Sequence, residues 1–189
     1  MADVVLFHSA LGLRPSVLAA ADRLRDAGNK VWTPDLYQGR TADNLPDAIV
    51  LRDSIEPHVM FDRAEAAMAD VPAGVVYAGY SLGASYAALV SRARGDASAL
   101  VFLHDAPTFL PGIPATMHIA DPDEWLVQDD LRRAEENPDT EVFSYAGCSH
   151  LFTDPDTKES TPFDAAAADL TWERVIEFLE RTDKRRQGS

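Results

Sequence analysis

The sequence Gly79-Tyr80-Ser81-Leu82-Gly83 decides the fold, because an apolar run precedes it and an alanine-rich run follows it. The apolar run at 73–78 predicts a buried strand, and the breaker-free run at 84–93 predicts a helix. A G-x-S-x-G turn between a strand and a helix is the pattern of a nucleophile elbow. Such a turn strains the serine backbone, and its glycines leave room where a Cβ would strike a neighbouring element. The stretch therefore predicts Ser81 as a nucleophile at a strand end.

The same alternation of apolar runs and helical patterns extends over the whole chain. Strands are expected at 4–7, 30–34, 73–78, 98–103, 115–120 and 141–145. Helices are expected at 15–27, 57–68, 84–93, 126–136 and 163–180, and 37–54 is expected to be a loop with weak helical character. Strands that alternate with helices form parallel sheets covered on both faces. We therefore expect a single α/β domain over residues 1–182, followed by a frayed tail over 183–189.

Composition and charge narrow the classes of function. The 189 residues are 46% hydrophobic and 25% charged, which is typical of a soluble globular protein. A formal net charge of -14 disfavours binding to nucleic acid or to anionic membranes. No apolar run reaches the ~18 residues that span a bilayer, and the start of the chain has the pattern of a strand rather than a signal peptide. The single cysteine, Cys148, excludes an internal disulfide and a cysteine-rich metal site. We expect a cytoplasmic protein.

An elbow serine becomes nucleophilic when a histidine takes its proton, and a carboxylate must orient that histidine. In this kind of fold the acid and then the histidine follow the serine along the chain. The five histidines are His8, His58, His104, His118 and His150. The first two precede Ser81, the third precedes any acid on the fifth strand, and the fourth is expected to be a core residue paired with the backbone. His150 follows the sixth strand at the carboxyl edge of the sheet, where active sites form in open parallel sheets, and is the predicted base.

The segment after the fifth strand supplies three candidates for the acid, Asp121, Asp123 and Glu124. Asp121 adjoins the strand end and precedes a proline, which is typical of a turn residue. Asp123 lies two residues further out, where the loop can curl back towards His150, and we favour it over Asp121 and Glu124. Asp105, which follows the fourth strand, is a further alternative. A polar turn that caps the next helix would have the same composition.

The negative charge that develops on a substrate oxygen needs two backbone N–H donors, which form an oxyanion hole. One comes from the residue after the nucleophile and one from the loop after the first strand. Leu82 is predicted to supply the first donor, and Ala10, in the loop at 8–13, the second. An ordinary strand-to-helix turn would have the same composition. The sequence has no H-x-x-x-H pattern and no carboxylate cluster, so no metal ion is expected.

These residues resemble those of the dienelactone hydrolases, a family of the α/β-hydrolase superfamily. The resemblance covers nearly the whole chain and includes the elbow, Ala10-Leu11-Gly12-Leu13, Pro34-Asp35-Leu36-Tyr37, His118-Ile119-Ala120-Asp121-Pro122-Asp123-Glu124-Trp125 and Tyr145-Ala146-Gly147-Cys148-Ser149-His150-Leu151-Phe152. It implies an α/β-hydrolase fold with six parallel strands in the order 2-1-3-4-5-6. It also implies hydrolysis of esters or lactones without a cofactor, with Asp123 and His150 matching the family's acid and base.

Two residues depart from the family pattern. Members named for dienelactone carry a cysteine in the elbow, where this chain has Ser81, and a glutamate in the first loop, where it has Ser9. Both changes point away from the dienelactone reaction and towards serine-esterase chemistry. By the same resemblance, the chain starts at the third strand of the full superfamily sheet and leaves no room for a large lid.

We therefore predict a small serine hydrolase that cleaves an ester, thioester or lactone through an acyl-enzyme. The expected partner is a small-molecule substrate, and the expected assembly is a monomer or a homodimer. Aromatic side chains are candidates both for the substrate pocket and for the core, namely Tyr80, Phe109, Trp125 and Phe152. The alternative is a protein of the same fold that binds a small molecule without turnover. Labelling by a fluorophosphonate probe separates the two.

Overall fold

The computed structural model describes residues 1–157 and 163–187 of the chain. The strands in these ranges are β1 (Asp3–Phe7), β2 (Lys30–Trp32), β3 (Val76–Tyr80), β4 (Ala99–Leu103), β5 (Ala115–Asp121) and β6 (Thr140–Ala146). The helices are α1 (Pro15–Asp26), α2 (Leu45–Asp53), α3 (Pro57–Ala66), α4 (Leu82–Arg94), α5 (Gln128–Glu135) and α6 (Ala165–Gln187). Each of the strands lies on one of the apolar runs that predict it.

The strands form one parallel sheet in the order β2-β1-β3-β4-β5-β6. β3 lies between β1 and β4, with Leu6 opposite Ala78 and Gly79 opposite Phe102. Every residue of β3 and β4 is buried, as expected of parallel strands with helices on both faces. The predicted fold class and strand order are confirmed.

Alternating side chains of the sheet divide the core into two layers. Along β1, Val4 and Leu6 pack in the layer of α1 and α6, whereas Val5 and Phe7 pack in the layer of α3 and α4. The division follows from the two-residue period of a strand. The helical residues of the first layer are Val17, Ala20, Ala21, Leu24, Trp172, Val175, Phe178 and Leu179. Those of the second are Met60, Ala64, Ala84, Tyr86, Ala87, Ala88 and Val90, together with Ala134 of α5. Because helices cover both faces of the sheet, a binding site is expected among the loops at its carboxyl edge.

The structure differs from the prediction in the segment before α3, where α2 replaces part of a predicted loop. Asn44 caps α2, because its side chain accepts a hydrogen bond from the Asp47 N–H at 2.9 Å. Leu45 packs with Leu11 and Leu151 in a small apolar cluster. The helix thus depends on a cap and on contacts with distant segments, which a weak helical pattern does not reveal.

The last helix also differs from the prediction, because α6 continues through most of the expected tail to Gln187. The final two residues lie outside the described ranges. The amino group of Met1 pairs with the Asp183 carboxylate, and Arg186 Nη1 donates to the Gly74 carbonyl at 2.6 Å. These contacts tie the end of α6 to the body of the domain, so this part of the chain is helical rather than frayed. Within the described ranges, no helix combines the length and the apolarity needed to cross a membrane.

Candidate active site

Ser81 forms the turn between β3 and α4. Its backbone angles are φ 48° and ψ -114°, a conformation that is strained for a residue with a Cβ. The Ser81 N–H donates to the Leu103 carbonyl at 2.7 Å, which ties the turn to the neighbouring strand β4. The Ser81 residue is partly exposed. The predicted elbow is therefore present as a sharp, strained turn with an accessible serine.

The two glycines of the elbow lie where no side chain fits. A Cβ on Gly79 would lie 2.1 Å from the Gly83 carbonyl oxygen, and a Cβ on Gly83 would lie 2.4 Å from the carbonyl oxygens of Phe7 and His8. All of these neighbours are backbone atoms, which cannot move aside as a flexible side chain can. The motif is thus required by close packing of α4 against β1 and by the tightness of the turn itself.

The structure brings Ser81, His150 and Asp123 into one chain of hydrogen bonds. His150 Nδ1 lies 2.8 Å from Asp123 Oδ2, and His150 Nε2 lies 3.0 Å from Ser81 Oγ. An ionised carboxylate only accepts hydrogen bonds, so Nδ1 carries the proton and Nε2 accepts from the Ser81 hydroxyl. The Asp123 side chain is fully buried, and its other oxygen accepts the Trp125 N–H at 3.0 Å. This arrangement is that of a nucleophile, a base and an orienting acid.

The other acid candidates have different surroundings. Asp121 ends β5 and is exposed, and Glu124 is exposed as well. Asp105 accepts hydrogen bonds from Ser85 Oγ at 3.1 Å and from the Ala106 N–H at 2.8 Å, and burial raises its pKa. Among the described residues, only Asp123 bonds to His150 through a carboxylate.

The loop that follows β1 is held by a buried histidine. The Leu36 N–H donates to His8 Nε2 at 3.0 Å, so Nδ1 carries the proton and donates to the Ser9 carbonyl at 2.7 Å. Burial lowers the pKa of His8, which keeps the ring neutral. Ser9 Oγ in turn accepts the Leu11 N–H at 3.2 Å. These bonds give the loop a fixed conformation around Ala10.

The two predicted oxyanion donors lie on adjoining segments. Leu82 is the first residue of α4, so its N–H has no acceptor inside the helix. No hydrogen bond within the described part of the chain uses the N–H of Ala10. The close approach of Gly83 to the His8 carbonyl brings the loop after β1 against the start of α4. The helix N-terminus adds a partial positive charge, which favours a developing oxyanion.

A second buried histidine, His104, lies beside the predicted base, although its place in the chain excludes it as the base itself. Its ring centroid is 6.0 Å from that of His150, and its Nε2 is 2.6 Å from Thr153 Oγ1. Burial lowers its pKa well below the usual value, so the ring is neutral. The sequence does carry a signal for this position, because His104 directly follows β4, the neighbour of β3 in the sheet. Neighbouring strands of a parallel sheet end at the same edge, so His104 is expected near the elbow.

His118 lies in the core as expected, but its partners differ from the prediction. Its Nε2 lies 3.1 Å from Thr116 Oγ1 and its Nδ1 lies 2.9 Å from the Tyr145 hydroxyl, so side chains replace the predicted backbone partner. Burial lowers its pKa to about 3. His58 is exposed in the first turn of α3.

The aromatic candidates for the pocket divide between the core and the site. Tyr80 packs against Trp172 in the layer of α1 and α6, and Phe152 is fully buried against His104. Both side chains therefore take the core role, which is one of the two roles that the sequence leaves open for them. Phe109 is half-buried against Phe102, near α5. Trp125 is 46% exposed, and its ring centroid lies 6.0 Å from that of His150. Trp125 is therefore the candidate that faces the site.

A cavity of about 760 Å³ opens beside His150. Its polar lining residues are Asp121, Asp123, Glu124, Gln128, Glu135, Ser144, Ser149 and His150. Trp125 forms part of its wall, and no lysine or arginine is among the lining residues. The cavity thus presents an aromatic ring and carboxylates to a ligand.

The structure also shows the surroundings of the cysteine and of the side chains that could bind a metal ion. In the two described ranges, no group of three His, Cys, Asp or Glu side chains could hold a metal ion. Cys148 Sγ lies 4.0 Å from Asp164 Oδ2, and burial and this carboxylate raise the pKa of the thiol. A raised pKa leaves less thiolate at neutral pH, and the thiolate is the nucleophilic form.

Comparisons with known proteins place the chain in a family. Comparison with curated protein sequences gives no match. Among solved structures, a dienelactone hydrolase-like promiscuous phosphotriesterase from metagenomic libraries has a TM-score of 0.74 at 20% identity, covering 95% of this chain and 86% of that chain. Mouse alpha/beta hydrolase domain-containing protein 10 has a TM-score of 0.70 at 14% identity, with 95% and 90% covered. Thermogutta terrifontis esterase 2, phosphonylated by sarin, has a TM-score of 0.65 at 15% identity, with 94% and 83% covered.

At these identities the similar structures establish the α/β-hydrolase fold and nothing narrower. A family model gives the more specific finding, because the model of the dienelactone hydrolase family matches residues 1–182. The match includes the elbow, the loop after β1 and the loop that carries His150. The chain therefore belongs to the dienelactone hydrolase family and is a hydrolase that acts on ester bonds.

Proposed function

We propose that the chain is a serine hydrolase that cleaves a small ester, thioester or lactone through an acyl-enzyme. Ser81 is the nucleophile, His150 the general base and acid, and Asp123 the residue that orients the imidazole. The unbroken chain of hydrogen bonds from Ser81 Oγ to Asp123 Oδ2 carries the proposal. The strained backbone at Ser81 supports it, because such strain collects at functional sites.

In the proposed first step, Ser81 Oγ attacks the carbonyl carbon while its proton passes to His150 Nε2. Asp123 stays ionised and stabilises the imidazolium through Nδ1. The bond to the leaving group then breaks, and His150 gives the proton to the leaving oxygen or sulfur. In the second step a water molecule loses a proton to His150 Nε2 and attacks the acyl carbon. The bond from that carbon to Ser81 Oγ then breaks, and His150 returns the proton to Oγ, which releases the carboxylic acid and restores the hydroxyl.

The oxyanion of each tetrahedral intermediate would be stabilised by the N–H groups of Leu82 and Ala10. Each belongs to a backbone segment that is fixed before substrate binds, one by the start of α4 and one by the bonds around His8. Fixed donors of this kind need no rearrangement during the reaction, and removal of a single donor typically costs 10²–10³ in turnover.

The surroundings of His150 favour a neutral ester over an anionic one. His150 protonates the leaving group, so that part of the substrate must lie next to the imidazole. Trp125 lies beside the imidazole, and the carboxylates of Asp121, Glu124 and Glu135 line the cavity that opens next to His150. A leaving group with its own negative charge would be repelled by these carboxylates.

The proposed function is tested with p-nitrophenyl esters of graded acyl length, lactones and a fluorophosphonate probe. We expect wild-type turnover and covalent labelling at Ser81, found by mass spectrometry of the digested protein. Ser81→Ala should fold normally, lose labelling, and lose at least ~10³-fold in turnover because triad residues act as a unit. Ser98→Ala, at the amino end of β4 and remote from the site, is the matched control and should keep both properties.

Turnover of Ser81→Ala within tenfold of the wild type would contradict the assignment of the nucleophile. A wild-type chain that binds esters without hydrolysis and without labelling would support the non-catalytic alternative. An organophosphorus probe suits the fold, because one of the similar structures is an esterase phosphonylated by sarin.

A further inference from the structure

A buried ion pair joins the loop after β1 to the loop that follows β6 and takes no part in the mechanism above. Arg14 Nη2 donates to both carboxylate oxygens of Asp154, each at 3.1 Å. Arg14 Nη1 donates to the Ala42 carbonyl at 3.1 Å. Arg14 is 4% exposed and Asp154 is 6% exposed. The pair is therefore sequestered from solvent, where an isolated charge would be strongly disfavoured.

The two partners come from the two loops whose relative position matters to the proposed chemistry. Arg14 ends the loop after β1, four positions beyond Ala10, and is the N-cap residue of α1. Asp154 lies four positions beyond His150 in the loop that follows β6. The ion pair thus joins the segment of a proposed oxyanion donor to the segment of the proposed base.

Further contacts join the same two loops. Asp154 Oδ1 accepts the Asp156 N–H at 2.9 Å, and Asp156 Oδ2 accepts the Ser16 N–H at 2.7 Å. The second bond satisfies a backbone donor in the first turn of α1, where Arg14 provides no side-chain cap. Leu151 packs with Leu11 in the small apolar cluster. The His150 loop is therefore attached to the loop after β1 and to the start of α1 by charge, hydrogen bonds and apolar contact.

We propose that Arg14 and Asp154 are positioning residues that hold His150 at a fixed position relative to the oxyanion donors. This inference rests on the proposed function of Ser81 and His150. Apolar residues of similar size often replace a buried ion pair with no loss of stability, so stability alone does not require these two charges. The planar guanidinium, by contrast, fixes direction, because its donors form a rigid fork that binds Asp154 and the Ala42 carbonyl together.

The expected consequence is a loss in kcat with little change in KM. Neither side chain is exposed to a substrate, so binding in the ground state does not depend on them. A displacement of about 1 Å between catalytic groups can cost on the order of 10² in rate. A role in stability alone would lower the amount of folded enzyme and leave the turnover of each folded molecule unchanged.

The test is the double variant Arg14→Met with Asp154→Leu, which removes both charges and keeps an apolar filling. The matched control is Arg94→Met with Asp96→Leu, an ion pair at 2.8 Å at the far end of α4. Turnover of a neutral p-nitrophenyl ester is divided by the number of sites titrated with the fluorophosphonate probe, so that unfolded protein does not enter the rate. Tm is measured on the same samples.

We expect the kcat of each titrated site to fall 10- to 100-fold in the first double variant, with KM within about threefold of the wild type. The control should stay within twofold in kcat. The positioning role of Arg14 and Asp154 is overturned if the first double variant keeps a kcat within twofold of the wild type. It is also overturned if the control loses as much kcat as the first double variant. A wild-type chain with neither turnover nor labelling overturns the proposed function instead.

Arg14→Lys decides the question if the double variant does not fold. Lysine keeps the charge opposite Asp154 but has no fork, so it cannot bind Asp154 and the Ala42 carbonyl in the same geometry. We expect a folded protein whose kcat for each titrated site falls at least fivefold. A folded Arg14→Lys variant with unchanged kcat overturns the positioning role of Arg14.

Discussion

At the scale of single residues, the choice among neighbouring acids depends on how far each lies from the end of β5. Asp121 is the last residue of the strand and is exposed, whereas Asp123 is buried and reaches His150 Nδ1 at 2.8 Å. The Trp125 N–H fixes the second oxygen of Asp123 at 3.0 Å. A carboxylate fixed in this way holds the imidazole in the tautomer that accepts the Ser81 proton.

Asp123→Asn should lower kcat by a factor on the order of 10⁴, because the amide can donate to Nδ1 and so favour the wrong tautomer. Asp121→Asn is the matched control two residues away, and we expect its kcat to stay within about threefold of the wild type. Both are measured with the neutral p-nitrophenyl ester at constant pH. The reverse ranking would transfer the orienting role to Asp121.

The sequence was sufficient for the residues whose chemistry is tied to a motif or to chain order. Ser81 is marked by its glycines, and His150 follows from the order of acid and base. Chain order leaves three acids open, and Asp123 is preferred for its distance from the end of β5. In the structure His150 lies within hydrogen-bond distance of both Ser81 and Asp123. Arg14 and Asp154 carry no such mark, because 140 positions separate the partners of this pair along the chain. Aromatic residues such as Phe152 look alike in a core and in a pocket until their neighbours are known.

At the scale of elements, the elbow works because α4 begins in contact with β1. Gly83 is the point of closest approach, and the atoms that a Cβ would meet are the carbonyl oxygens of Phe7 and His8. Those carbonyls belong to the strand end that leads into the proposed oxyanion loop. A side chain at this position would therefore disturb both the start of α4 and the loop that carries Ala10.

Gly83→Ala should lower Tm by roughly 5 °C or more and reduce turnover per folded molecule at least ~100-fold, because the backbone around it cannot yield. Gly95→Ala makes the same substitution at the other end of α4, where a Cβ would meet no atom within 4 Å. Its φ of 65° still strains alanine, so we expect a lower Tm but wild-type turnover. Full activity in folded Gly83→Ala would refute this view of the elbow.

The strands were predictable because a parallel strand buried on both faces is a nearly continuous apolar run. Their order came from the family resemblance, since alternation alone does not say which strands pair. The sequence failed where distant contacts decide the structure. α2 depends on packing of Leu45 against Leu11 and Leu151. The end of α6 depends on contacts of Asp183 with the amino group of Met1 and of Arg186 with the Gly74 carbonyl.

At the scale of the whole molecule, buried histidines link the stability of the fold to pH. His8, His104 and His118 are all buried, and burial lowers the pKa of each. In the unfolded chain a histidine takes up a proton as the pH falls below about 6.5. Between that pH and the lower pKa of the folded state, the unfolded chain binds more protons, so the free energy of unfolding falls as the pH falls. Burial raises the pKa of Asp105, which acts in the opposite direction.

His118→Gln isolates one of these contributions. Burial lowers the pKa of His118 to about 3, so between about pH 6 and pH 4 this residue should make the free energy of unfolding fall by roughly 1.4 kcal/mol for each pH unit. Glutamine can still hydrogen-bond to Thr116 and Tyr145 but does not titrate, so the variant should show a shallower decrease than the wild type. The free energy of unfolding is measured by urea denaturation at pH 7, 6, 5 and 4. His58→Gln, at an exposed position on α3, controls for the loss of a histidine. Parallel pH dependences of the wild type and His118→Gln would mean that His118 binds its proton over the same pH range in the folded and the unfolded chain. The acid sensitivity of the fold would then have to come from His8, His104 or the carboxylates.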